Sequence, residues 1–373
     1  MLDDILKKFQ EAAEHPEALK ERYLAEGKQV VLVAPVYTPE EIVHSMGLVP
    51  MGAWGGDLQL NRSKRYFPAF ICSIVQSILE LGMKGAYEGV SALIVPSLCD
   101  SLKVLGENWK YAVPSIPFIP MTYPQNRKPE YALEYTLHSY ERVIADLQKA
   151  TGKVFSEKLL RVSLEIYNEH NALMRETVKE LAAHPEISAQ QRSWIFKSAT
   201  FLRKEEHSAL LKQFLKELKE QKAEGKKLRI VTTGILADAP SLLQILDENG
   251  LQIVADDIAA ESRQYKTDIE AGNDGLVALA KKHAGRDNCS VLYDPLKRRV
   301  EALVETAKAV ESDGVLMILT KFCDPEEFDY PLIRNACKAA GLPIVEVEVD
   351  RQMENYEQAA TIIESFKEMM ESK

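Results

Sequence analysis

A chain of 373 residues, 46% apolar and 27% charged, has the composition of a soluble globular protein with room for more than one domain. Its 46 Lys and Arg against 56 Asp and Glu leave a net charge of −10, which excludes the basic face of a nucleic-acid binder but not a local basic pocket. Five cysteines are too few for a disulfide framework, no apolar run nears the ~20 residues that cross a bilayer, and the charged start Met1–Lys8 lacks a signal core; a cytoplasmic protein off the membrane is expected.

Residues 1–27 read as an amphipathic helical lead-in. Gln29–Ala34 is a β-branched run ending at Pro35, and Thr38-Pro39-Glu40-Glu41 reads as a capping box that opens a helix over Glu41–Met46. Leu48–Met51 is a second strand, Gly55-Gly56 marks a turn, and Pro68 is expected to start a helix that runs through Cys72 to about Met83. Ala92–Val95 and Ile116–Ile119 complete four strands that alternate with helices, the pattern of a parallel α/β sheet.

From about Pro129 to Gly225 only helical spacing is found. Leu133, Leu137, Tyr140, Ile144 and Leu147 keep one face, Ser188-Ala189-Gln190-Gln191 is a further capping box, and the charge-rich Glu205–Glu224 reads as a solvated helix. The α/β pattern restarts at Leu228–Val231, with Pro240 opening a helix as Pro39 does. Strands follow at Leu251–Val254, Val291–Tyr293, Val315–Leu319 and Ile344–Val349. The last helix carries Ile362, Phe366 and Met369/Met370 on one face. The expected organisation is an α/β domain with a helical lead-in over 1–128, a helical connector over 129–226 and a second α/β domain over 227–373. Two Rossmann-like parallel-sheet halves would then face each other across a cleft suited to a ligand.

The cysteines carry the chemistry. Ser91–Asp100 and Val315–Asp324 are near-matching frames: an apolar run of strand length, a short polar stretch, then Cys99-Asp100 or Cys323-Asp324. A thiol just past the carboxyl end of a parallel strand stands where α/β folds bind ligands. Cys72, near a helix start, would meet a positive dipole end that favours thiolate. Cys337 shares a helix face with Ile333, Ala336 and Ala340 and reads as core, as does Cys289 just before a predicted strand. Three thiolates suit zinc or an iron–sulfur cluster, and no C-x-x-C or ferredoxin spacing decides between them.

The frames, together with Pro39–Val43, Gly47–Gly52, Trp54-Gly55, Phe67–Ser73, Cys99–Leu102, Pro124–Arg127, Ala255–Asp257, Glu261–Arg263, Tyr293–Pro295 and Lys321–Glu327, resemble the beta (smaller) subunit of the (R)-2-hydroxyacyl-CoA dehydratases, in the family of 2-hydroxyglutaryl-CoA dehydratase D-components and benzoyl-CoA reductase subunits. The resemblance runs nearly end to end. It implies one [4Fe–4S] cluster per chain on Cys72, Cys99 and Cys323, with one iron left open, in a heterodimer with a larger alpha subunit. It further implies oxygen-sensitive removal of water from a 2-hydroxyacyl-CoA thioester to give an (E)-2-enoyl-CoA in anaerobic amino-acid fermentation. One electron from an ATP-dependent iron–sulfur activator would make a ketyl radical. The family attributes substrate carbonyl coordination to the larger subunit's cluster, which leaves this chain's cluster a relay or supporting role. Some relatives also bind flavin.

The remaining candidates have duller readings beside them. Glu41 is a candidate catalytic carboxylate, with helix capping as the alternative. Asp100 and Asp324 either orient the ligand loops or cap helices. Arg127 and Arg263 either meet CoA phosphates or form inter-domain ion pairs. A subunit of a benzoyl-CoA-type reductase, or a non-catalytic cluster- or ligand-binding protein, is the alternative function.

Overall fold

A computed structural model describes residues 1–270, 272 and 274–372. Among these residues, eight strands form two separate sheets, each of four parallel strands. The first joins β1 (Val30–Val33), β2 (Val49–Gly52), β3 (Ala92–Pro96) and β4 (Phe118–Met121) in the order β2-β1-β3-β4. The second joins β5 (Leu228–Gly234), β6 (Leu251–Ile258), β7 (Gly314–Thr320) and β8 (Ile344–Val349) in the matching order β6-β5-β7-β8. The inner strands are unbroken runs such as Val30-Val31-Leu32-Val33 because helices cover both faces and every side chain is buried. At the edge, β8 alternates instead, with Val347 and Val349 buried and Glu348 exposed.

In both sheets the chain leaves the first strand in one direction and returns on its other side, so the order reverses between β1 and β3 and between β5 and β7. Open α/β sheets bind ligands beyond the carboxyl ends of the strands at such a switch point. Gly234, last in β5, lies at a positive φ of 150° where a Cβ would stand 2.2 Å from the Ile318 carbonyl oxygen of β7. Only glycine lets the two strand ends come this close.

Four helices span the interval between the sheets: Glu130–Thr151, Glu157–Ala183, Ala189–Ser198 and Lys204–Lys219. The Ser188 capping box forms as expected, its hydroxyl accepting from the Gln191 N–H. Helix 204–219 is not a solvated rod: His207, Leu211, Phe214, Leu215 and Leu218 are buried, and the helix packs with Phe9 of helix Leu2–Glu14. The halves interlock. Ile269 and helix Gly275–Gly285, which follow β6, pack with Val31, Val33 and Ile94 of the first sheet and with Tyr140 and Leu160 of the connecting helices. The Asn168 side chain fastens Ile269 through both its N–H and its carbonyl.

Four local expectations are corrected. No strand forms over Val291–Tyr293; the segment is a loop whose residues face the cleft described below. The helix expected from Pro68 begins at Ser73, because Ile71 N–H closes a turn onto the Pro68 carbonyl and Cys72 is extended at φ −50°, ψ 129°. The Thr38 capping box is absent: Pro39 is the cap residue of helix Glu40–Ser45, and the Thr38 hydroxyl donates backwards to the Ala34 carbonyl. In the last helix, Glu357–Glu371, the buried face is Ile363, Phe366 and Met370, while Ile362 lies at its border and Met369 is exposed.

Candidate metal centre

Cys72, Cys99 and Cys323 each cap a helix at its N-terminus: Ser73–Met83, Asp100–Ala112 and Asp324–Ala339. Cys99 follows β3 and Cys323 follows β7, the two strands beside the switch points, and Cys72 lies in the crossover before β3. All three line one cleft of about 720 Å³ at the seam of the halves. Its other walls are the Pro35-Val36 loop after β1, Ile235 after β5, and the loop Ser290–Pro295. Cys72 and Cys323 are each 8% exposed within an apolar cluster that includes Val75, Leu102, Ile235 and Leu292.

The electrostatics of the three thiols have one pattern. Burial pushes Cys72 up to about 12, and the neighbouring Cys99 adds to the rise. Burial likewise raises Cys99, and raises Cys323 well above the ordinary thiol value. Against this, backbone N–H groups of the first helical turns favour the thiolates: Ile74 and Val75 at Cys72, Leu102 and Ser101 at Cys99, Glu326 at Cys323. Thiols so placed stay protonated alone and ionise when a cation shares the site. Among the described residues no three Cys, His, Asp or Glu side chains converge tightly enough for a single metal ion. Three thiols on one cleft wall, each with helix N–H groups behind it, are donors of the kind that zinc or an iron–sulfur cluster takes.

Behind Cys323 stands a buried ionic network that the sequence did not reveal. Arg299 bonds Asp257 (2.9 Å), Glu326 (2.7 Å) and Asp329 (3.0 Å), and Arg263 bonds Asp257 (2.9 Å) and Glu326 (3.1 Å). Glu326 and Asp329 lie in the first turns of the Cys323 helix, so the network ties that helix to β6 and to helix Arg299–Ala309. A Glu three residues after a cap ordinarily suggests a capping box; here it turns inward to the guanidinium groups.

The other candidates fall elsewhere. Cys337 is fully buried on a helix face with Ile333, and Cys289 is buried outside the cleft lining, 3.6 Å from Arg263 Nη1. Arg263 therefore serves an internal ion pair and not an external phosphate. Arg127 is also buried, donating to the carbonyls of Arg286 and Tyr293 and to Asp287. Asp100 is 94% exposed and pairs with Lys103, Asp324 is exposed, and neither caps its helix. Glu41 neither caps nor faces the cysteines: it bonds Lys282 Nζ at 2.8 Å beside a separate small cavity.

Residues 35–370 match the family model described as 2-hydroxyglutaryl-CoA dehydratase, D-component. The chain belongs to this family. It is 42% identical to the (R)-phenyllactyl-CoA dehydratase beta subunit of Clostridium sporogenes, with 99% of both chains covered. It is 39% identical to the lactoyl-CoA dehydratase beta subunit of Anaerotignum propionicum, again over 99% of each. A more distant relative, one of the subunits of benzoyl-CoA reductase from Thauera aromatica, is 25% identical over 91% of each chain. The matched span takes in the whole second sheet, the first sheet from β2 onward and all three cleft cysteines.

Proposed function

We propose that this chain is the beta subunit of an oxygen-sensitive (R)-2-hydroxyacyl-CoA dehydratase, a hydro-lyase that acts with a larger alpha subunit. The observation that carries the reading is the convergence of Cys72, Cys99 and Cys323, each a helix cap, on one cleft, in a chain similar end to end to dehydratase beta subunits. In this reading the three thiolates hold one [4Fe–4S] cluster, which supplies one-electron chemistry when bound. The chain's own residues then do three things. The helix N–H groups stabilise the ligand charge, Ile235 and Leu292 keep the site apolar, and the Arg263–Arg299–Glu326 network fixes the Cys323 helix.

The net reaction removes hydroxide from C2 and a proton from C3 of the thioester, giving an enoyl-CoA and water. That C3 proton is not acidic enough for simple base removal. An electron delivered by an ATP-hydrolysing iron–sulfur activator would form a ketyl radical that expels hydroxide and acidifies it. Because dehydration is redox-neutral overall, the electron is recovered. The higher identity to dehydratase beta subunits than to the benzoyl-CoA reductase relative favours dehydration over ring reduction.

The test is anaerobic iron and sulfide analysis. Wild type should carry about four irons per chain with broad absorbance near 400 nm, as a single cubane cluster requires. Cys72→Ser, Cys99→Ser and Cys323→Ser should each lose it, while Cys289→Ser and Cys337→Ser keep theirs. Colourless anaerobic protein containing zinc, or iron lost only in Cys337→Ser, rejects the assignment. With the alpha subunit and activator added, 2-hydroxyacyl-CoA dehydration without benzoyl-CoA reduction separates the two reactions.

A further inference from the structure

Pro35 lines both the cysteine cleft and a second, small cavity of about 70 Å³. The space holds a few waters or one small ion and is far too small for a thioester. Its wall carries three carboxylates, and each is already engaged. Glu40 pairs with Lys204 at 3.0 Å, Glu41 with Lys282 at 2.8 Å, and Glu261 with Arg192 at 2.5 Å.

Arg286, on the same wall and 9% exposed, is the exception. Among the described residues its guanidinium forms no ion pair and donates no hydrogen bond, and its Nε is buried without a partner. Its Cζ stands 4.3 Å from the centre of the Tyr37 ring, over the ring's face. Burial would raise the Glu41 carboxyl, but Lys282 and then Arg286 outweigh it and hold it low, so two cations share one carboxylate. Two further buried groups on this wall lack partners: Asn171 Nδ2 and the Tyr265 hydroxyl, each residue 4% exposed. A guanidinium has five donors and no acceptor, and a buried cation without a counter-charge is strongly unfavourable. The cavity thus offers hydrogen-bond donors, and Arg286 is the cation on its wall that has no ion pair.

We propose that this cavity is a binding site for one small monovalent anion of chloride or formate size, held by Arg286 with Asn171 and Tyr265 as further donors. The anion gives Arg286 the ion-pair partner that it lacks at the junction of β1, the connecting helices and helix 275–285. It is distinct from the cysteine cleft and from any thioester site.

The test uses the full-length chain with chloride and bromide as probes. Crystals grown in bromide should show a single anomalous peak in the cavity, beside Arg286. In thermal melts at constant ionic strength, replacing gluconate, which the cavity cannot admit, by chloride should raise the midpoint saturably. Tyr265→Phe, which removes one hydroxyl, should raise the half-saturating chloride about fivefold to tenfold, and Arg286→Gln should abolish the response. A cavity containing only water in the bromide crystals overturns the proposal. So does a wild-type melt indifferent to the anion, or an equal chloride response in both variants. Should Arg286→Gln not fold, the bromide map and Tyr265→Phe still decide the question.

Discussion

The two halves share a strand order yet secure the cysteine ends of their helices by different means. Helix 100–112, after β3, is held by apolar contacts: Leu102, Leu105 and Trp109 are buried in the core, and its first-turn charge Asp100 meets only Lys103 in solvent. Helix 324–339, after β7, packs Ile333 and Cys337 into the core at its far end, but its cysteine end is held by two guanidinium groups and three carboxylates, all nearly inaccessible. The matching crossovers also differ. Cys72 caps a helix and faces the cleft, whereas Cys289 lies against Arg263 outside it. One topology thus delivers a thiol by hydrophobic packing on one side and by a charge lattice on the other. Such lattices fix geometry more than they add stability, because desolvating the ions offsets their attraction.

The largest expected effect comes from breaking the lattice. Arg299→Met leaves Asp257, Glu326 and Asp329 buried with fewer counter-charges, and should cost about 3–5 kcal/mol in anaerobic urea unfolding. A loss under about 1 kcal/mol would mean that packing alone anchors both helices. Acid provides an intermediate effect. Burial would raise the Asp257 carboxyl, but Arg263, Lys266 and Arg299 overcome this and hold it well below the ordinary carboxylate range. A depressed native value means its stabilisation is complete above about pH 4, where the unfolded group is ionised, and is lost as pH falls below that. Amide protection factors in helix 324–339, corrected for the intrinsic exchange rate, should therefore fall as the pH drops below about 4, before those in helix 100–112. An equal loss of protection in the two would erase the distinction. The smallest effect belongs to the exposed pair: Lys103→Ala should change the unfolding free energy by no more than about 0.5 kcal/mol.

The fold was legible because both sheets are buried on both faces. The strand runs at Val30, Ala92, Leu228 and Val315 are continuous and apolar, and the helices between them keep their spacing. The cysteine frames at Cys99 and Cys323 were legible for the same reason, since a strand end is a fixed place in an α/β fold. Partner choice was not legible. Thr38 and Glu41 carry a capping-box pattern, yet Glu41 takes Lys282, 241 residues away, and nothing local announces that. Val291–Tyr293 has strand-like composition because it must turn apolar side chains toward the cleft, not because it pairs with a neighbour. Glu326 and Arg299 are charges with ordinary local spacing, and only the closing of β5, β6 and β7 brings them inside.

Ile269 and helix 275–285 leave the second half and lodge against the first. Packing of this kind opposes a swing of one half away from the other of the sort a periplasmic binding protein makes. It also ties together the two halves that carry Cys72, Cys99 and Cys323. Expressed separately, each half would expose the apolar surface that this strap covers. The two halves are therefore one folding unit despite their twin sheets.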